Sequence, residues 1–162
     1  MLISTSRKPS NKTRKFCKNL AHATGSTSVN RGKMSMRELL LKALEVEEYN
    51  LAVVNEIKGN PSRISFYSNR GELLLTMLIG ASESREKTNI APSKLKMVCE
   101  VKKLNILSEI LDLDLVDKAE ENCILISDSD DSVARISFIN KFGDTLNFKI
   151  NIKKLLEVSN DG

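Results

Sequence analysis

Tryptophan is absent from this 162-residue chain, and five phenylalanines with two tyrosines are its only aromatics. That poverty argues against a base-stacking platform of several exposed rings. Histidine occurs once, at His22, and the three cysteines, Cys17, Cys99 and Cys123, are widely spaced with no C-x-x-C pair. A zinc site needs about four clustered ligands, so the thiols are expected to be buried and no metal or cofactor is expected. No apolar run approaches the ~18 residues that span a membrane. "MLIST" is followed, not preceded, by basic residues, unlike a signal peptide. The chain reads as a soluble, cytoplasmic protein without a membrane partner. Walker, G-x-S-x-G and G-x-G-x-x-G motifs are missing as well, which argues against an enzyme. "SDSDDS", Ser127–Ser132, does hold Asp128, Asp130 and Asp131. A two-metal nuclease needs such groups on a rigid convergent scaffold, whereas here they read as a solvated hairpin loop.

Negative charge is missing from one end. The first Asp or Glu is Glu38, while residues 1–37 hold nine cations: Arg7, Lys8, Lys12, Arg14, Lys15, Lys18, Arg31, Lys33 and Arg37. Of 25 basic residues, 16 remain for the rest of the chain against all 21 acids, a net −5 that balances the +9 to the overall +4. Residues 100–132 alone carry ten acids and three lysines. A dipolar molecule of this kind is expected to meet polyanions at its basic end.

A helix is predicted from about Ser10 to Ala23. Pro9 and Ser10 open it, with Ser10 or Asn11 as cap, and Gly25 closes it. On a helical wheel Arg14, Lys15, Lys18 and His22 share one face, opposite Phe16, Cys17 and Leu20. An all-positive face forgoes i,i+4 ion pairs and adds repulsion, so its charges are expected to be matched by phosphates. "STSRKPS" before the helix brings Ser6, Arg7, Lys8 and Ser10, and helix-start amides with hydroxyls suit a phosphate. "NRGK" adds Arg31, Gly32 and Lys33. "KGNPS" adds Lys58 and Asn60 in a tight turn.

Two segments repeat at an offset of 72. Leu51–Leu74 aligns without a gap on Cys123–Leu146, with Arg63–Phe66 matching Arg135–Phe138 and Gly71 matching Gly143. The reading is one unit used twice: helix, buried strand, turn and hairpin. Strands are predicted at "LIST", near Val29, at 50–56, 62–68 and 72–79, and at "LKMVCEV". Helices are predicted at Met36–Glu48, at Leu107–Glu120, and as a closing element in "INIKKLLEVSNDG". Polar residues 81–94 form the expected linker between halves 1–80 and 95–162. Alternating strands and helices imply α/β layers.

"TSRKPSNKTRKFCKNLAHA", "NRGKMSMRELLLKA" and "EIKGNPSRISF" together resemble the Brix-domain family of ribosome-biogenesis proteins, in its short archaeal form. Ser6, Arg7, Pro9 and Ser10 match a first signature, Arg31, Gly32 and Lys33 a second, and Gly59, Asn60 and Pro61 a third. "NRGE" at Asn69–Glu72 departs from the glycine-proline-threonine turn of longer eukaryotic members. The resemblance covers essentially the whole chain, its N-terminal motifs being the specific part. It implies one Brix domain over residues 1–162: an α/β fold of two pseudo-symmetric halves, each like the anticodon-binding domain of class IIa aminoacyl-tRNA synthetases, with mixed sheets flanked by helices. It also implies a non-enzymatic factor that binds precursor rRNA and assists its processing and subunit assembly. The alternatives are a module docking a basic ribosomal protein through its acidic C-terminal half, and a tRNA-binding protein.

Overall fold

The computed structural model describes residues 1–156. The first half runs β1 (Leu2–Thr5), α1 (Asn11–Thr24), β2 (Thr27–Ser28), α2 (Met36–Glu45), β3 (Asn50–Ile57), β4 (Asn60–Ser68) and β5 (Leu73–Ala81). The second runs β6 (Lys96–Cys99), α3 (Ile106–Ile110), β7 (Asp114–Leu115), β8 (Cys123–Ser127), β9 (Ala134–Ile139) and β10 (Thr145–Leu156). The described strands form one sheet in the order β2-β1-β3-β4-β5-β10-β9-β8-β6-β7. β1 and β3 pair in parallel, as do β6 and β8, and antiparallel β5–β10 joins the halves.

Helices cover β3 on both faces, which explains its unbroken apolar run "LAVV". Strand side chains alternate between faces, so Leu51 and Val53 meet α2 while Ala52 and Val54 meet α1. α2 is held at its start by a capping box, Ser35 with Glu38, and buries Leu39 and Ala43 one turn apart. α1 presses Phe16, Cys17, Leu20 and Ala21 into a core shared with Phe66 from the first half and Phe138, Phe148 and Ile150 from the second. Phe148 stacks on Phe138 at 5.3 Å and meets Phe16 at 5.7 Å.

The offset of 72 carries through the hydrogen-bond register. Ala52 pairs with Phe66, Val54 with Ile64 and Asn55 with Arg63; Ile124 pairs with Phe138, Ile126 with Ile136 and Ser127 with Arg135. The β4–β5 and β9–β10 turns repeat too. Gly71 donates to Ser68 O and Ser68 N to Glu72 O, while Gly143 donates to Asn140 O and Asn140 N to Asp144 O. Further along, the two hairpins part by one residue: Ile64 faces Met77, but Ile136 faces Ile150.

Two expected helices are corrected. Leu107–Glu120 forms only the short α3 followed by β7. "LDLDLVD" alternates apolar and acidic residues with the period of a strand, and Asp112 adopts a left-handed φ of 54° that ends the helix. The expected closing helix is instead the end of β10 through Leu156; residues 157–162 lie outside the described part. Leu146, Phe148, Ile150 and Ile152 are buried at every second position, and this period-2 pattern carries the chain between β5 and β9. α2 also stops at Glu45, short of the expected Glu48. Cys17 and Cys123 are buried, but Cys99 is only half-buried, with its thiol donating to Val101 O at 3.1 Å. Burial pushes the Cys17 thiol up to about 12.

Candidate nucleic-acid interface

α1 exposes Arg14, Lys15 and Lys18 along its outer face, as its wheel predicts. The structure divides that face. Arg14 and Lys18 border a cleft whose far wall is the loop after β2, with Asn30, Arg31 and Gly32. Arg31 is pinned there: its guanidinium donates to Thr5 O at 2.8 Å and Met34 O at 2.6 Å. Burial first, then the charge of Arg7, pushes the Arg31 pKa down. Arginine stays protonated regardless, so these cations repel one another in a way a bound anion relieves. Lys8 and Lys33 stand exposed on the flanking loops.

Arg7 and Arg31 also border a broad open groove on the α2 side of the sheet, beside Ser6, Asn55, Arg63, Ser65 and Thr76. Arg63 belongs to the repeat and was not among the sequence-based candidates. The signal that reveals it is the alternation of "RISFY": Ile64 and Phe66 are buried in the core, so Arg63, Ser65 and Tyr67 take the other face.

The helix start differs from expectation. The backbone N–H of Ser10 donates to the Glu56 carboxylate at 3.0 and 3.2 Å, the Ser10 hydroxyl donates to it at 2.8 Å, and the Thr13 hydroxyl donates as well. Hydrogen bonds from Thr13, then Ser10, hold the Glu56 carboxyl below the usual carboxylate range. A carboxylate from β3 thus occupies the place proposed for a phosphate, and Ser10 serves the fold as the cap of α1. The Ser6 amide is likewise committed, to Val54 O. Asn60 accepts from Lys12 Nζ at 2.6 Å, and Lys12 also pairs with Glu83 at 3.4 Å. Lys58 remains exposed at the hairpin tip, on a groove shared with Lys12 and Lys153. Lys153, expected in a helix, lies on β10 with its side chain across Gly80.

Among the described residues, Lys12 is the one Lys or Arg of the first 37 with a carboxylate within ion-pair distance; the Met1 ammonium pairs with Glu48 at 2.6 Å. No described group of three or more His, Cys, Asp or Glu is placed to hold a metal ion. No described helix is long and apolar enough to cross a membrane.

No family model matches the chain. Among curated proteins it is 45% identical over 87 residues to a "Probable Brix domain-containing ribosomal biogenesis protein" of Methanosarcina mazei, covering 53% of each chain. A protein of the same description from Methanothermobacter thermautotrophicus is 39% identical over 97 residues, 60% of each. The chain thus spans about half the length of these curated relatives in the matched part. With the Methanococcoides burtonii protein of that description, 29% identity extends over 94% of both chains. Among solved structures, Mil, an archaeal Imp4-like protein, superposes with a TM-score of 0.84 at 29% identity, over 98% of this chain and 99% of that one. A probable ribosomal biogenesis protein from Aeropyrum pernix K1 gives 0.80 at 26% identity over 97% of both. With relatives of one description and a fold shared along nearly its whole length, the chain is similar to Brix-domain ribosomal biogenesis proteins.

Proposed function

We infer that this chain is a non-enzymatic ribosome-assembly factor that holds precursor rRNA on its N-terminal basic surface. The observation that carries the reading is the cleft between α1 and the loop after β2. Arg14, Lys18 and Arg31 face it together, with no carboxylate in ion-pair distance among the described residues. Arg7, Lys8, Lys33 and Arg63 extend the positive surface to either side. Phosphates at such a surface release counterions, which supplies sequence-independent affinity. The names of the relatives, all describing ribosomal biogenesis, point to rRNA as the polyanion. In this reading the two halves, 1–80 and 95–162, act as one Brix domain joined by the segment 81–94. The protein works where ribosomes assemble in the cytoplasm, and it leaves the RNA uncut.

A salt titration of RNA affinity tests this reading. With about five phosphates engaged, the log–log slope is expected at roughly −4 to −5 on the scale for duplex DNA, shallower for single strands. Arg14→Ala with Lys18→Ala flattens it by about one to two units. Lys102→Ala with Lys103→Ala, exposed in the second half, leaves it nearly unchanged. Equal effects from the two pairs would sink the basic-cleft model.

A second reading adds a protein partner. Asp112, Asp114, Asp117, Glu120 and Glu121 are all exposed around β7 and the loop after it. This acidic end suits a basic ribosomal protein, while the opposite end holds RNA.

A further inference from the structure

Where the two halves meet on the α1 side, a cavity of about 170 Å³ opens between α1, the end of β5 with the segment after it, and β10. On a scale where one water needs ~10–15 Å³, this holds roughly 11–17, room enough for a nucleobase and far beyond an ion. Its inner wall is aromatic. Phe16 and Phe148 line it, and their rings are locked by the tilted contact with each other and by the stacking of Phe148 on Phe138. Pro61 adds a further apolar side.

The mouth is polar and positive. Lys12 is occupied by Glu83 and Asn60. Lys15 and Arg85, which also line the cavity, have no carboxylate in ion-pair distance among the described residues. Asn19 donates through its amide nitrogen to Ser84 O at 3.1 Å, which leaves its carbonyl oxygen as an acceptor for a base edge. The walls are held in place independently of any ligand. The Ser82 hydroxyl donates to Asn147 O at 2.7 Å and accepts from the Lys149 amide, and the Glu86 carboxylate accepts from the Asn147 and Phe148 amides. The cavity is therefore preformed, which lowers the cost of filling it.

We propose that this cavity takes the base of one unpaired nucleotide of the bound RNA, with Lys15 and Arg85 on its flanking phosphates. A slot with an aromatic inner wall, lined also by Lys15 and Arg85 beside the mutually paired Lys12 and Glu83, matches a nucleotide, whose base is planar and whose charge sits outside it. The cavity mouth lies beside the α1 face that carries Arg14 and Lys18, so a strand tracking the helix passes over it. Extruding a base that has no partner costs little, and stacking against an aromatic wall stabilises it once inserted. The proposal rests on the RNA-binding reading above and deepens it: duplex contacts give affinity, and the cavity selects a bulge or loop.

The test compares two RNAs at one salt concentration, a fully paired stem and the same stem with a single bulged adenosine. Wild type is expected to prefer the bulged stem about tenfold. Ser84→Trp, which fills the cavity, brings the bulged stem down to the affinity of the paired one and leaves the paired stem within about twofold of wild type. That retained affinity also certifies the fold. Lys15→Ala with Arg85→Ala, two surface changes, reduces the bulge preference several-fold and covers the case in which Ser84→Trp does not fold. Arg14→Ala with Lys18→Ala weakens both RNAs and keeps the preference. Equal binding of the two RNAs by wild type, or a preference that survives both cavity variants, overturns the proposal while leaving the basic cleft standing. Failure of wild type to bind either RNA overturns the basic cleft and the cavity together.

Discussion

Glu56 shows how a charge pattern at one end of the chain constrains a residue far from it. A helix N-terminus carries partial positive charge and unpaired amides, and an acid in the first turn normally answers them. α2 does this locally with Glu38. α1 has no acid in its first turn, and the whole segment before Glu38 has none. The missing carboxylate is imported from β3, where Glu56 accepts from the Ser10 amide and from the Ser10 and Thr13 hydroxyls. Because the folded-state pKa of Glu56 is lowered, its contribution is complete above the ordinary carboxylate value of about 4.3. It is lost as the pH falls through the lowered value. Glu56→Gln is expected to cost about 1 kcal/mol at neutral pH, as is Ser10→Ala. The deficit of Glu56→Gln relative to wild type shrinks below about pH 4. The double variant loses less than the sum, since both changes break one cluster. Denaturant melts at pH 7 and pH 3.5 measure all three; additive losses with no pH dependence would contradict the assignment.

At the scale of elements, the two hairpin turns are the parts in which the halves can be compared most directly. Gly71 has φ of 87° and Gly143 of 86°, a conformation that costs a side chain about 1–2 kcal/mol. Their surroundings differ. A Cβ on Gly71 would sit 3.3 Å from Leu40 Cδ1, beneath α2, whereas one on Gly143 would meet only Glu120 O at 3.6 Å. Alanine at either site is expected to destabilise by about 1–2 kcal/mol, with Gly71→Ala the worse by a few tenths because Leu40 must shift. Thermal melts of the two variants check this, and the reverse ranking would mean that α2 does not rest on the first turn. The second half has no counterpart of α2 among its described elements, since the seven residues from Val116 to Asn122 that join β7 to β8 are too few. That difference leaves its second sheet face open.

At the scale of the molecule, the β5–β10 pairing and the shared aromatic core bind the halves into one unit. α1 belongs to the first half by sequence, yet Phe16 rests on Phe148 of the second. Ile79 and Ile152 meet across the joint, both buried. Cutting the chain near residue 81 would strip partners from both sides of this core, so neither half is expected to be stable alone. Amide exchange is expected to return one global free energy for Ile64 in β4 and Ile136 in β9, because the slowest amides report global opening. Values separated by more than about 1 kcal/mol would instead indicate two independently unfolding halves. Charge is segregated as well, with exposed cations on α1 and its flanking loops and exposed acids around β7, a dipole suited to steering a polyanion to one end.

Local order was legible in the chain wherever it depends on near neighbours. Ser10 and Gly25 mark the ends of α1, and the alternation in "RISF" and its copy marks β4 and β9. The offset of 72 anticipates the pairing of Ala52 with Phe66 and of Ile124 with Phe138. Segments whose partners are remote were not legible. "INIKKLL" has an amphipathic look in isolation, and only the waiting edges of β5 and β9 make it a strand, since strand hydrogen bonds need a neighbour that sequence does not name. The same reason governs the site. The cations of α1 are visible as a count and a wheel, but three facts depend on which surfaces folding brings together. Arg63 lies beside Arg7, Glu56 fills the helix start intended for a phosphate, and Phe148 forms a cavity wall with Phe16. Composition and periodicity decide which residues are charged or buried; the closure of the sheet decides which of them share a surface.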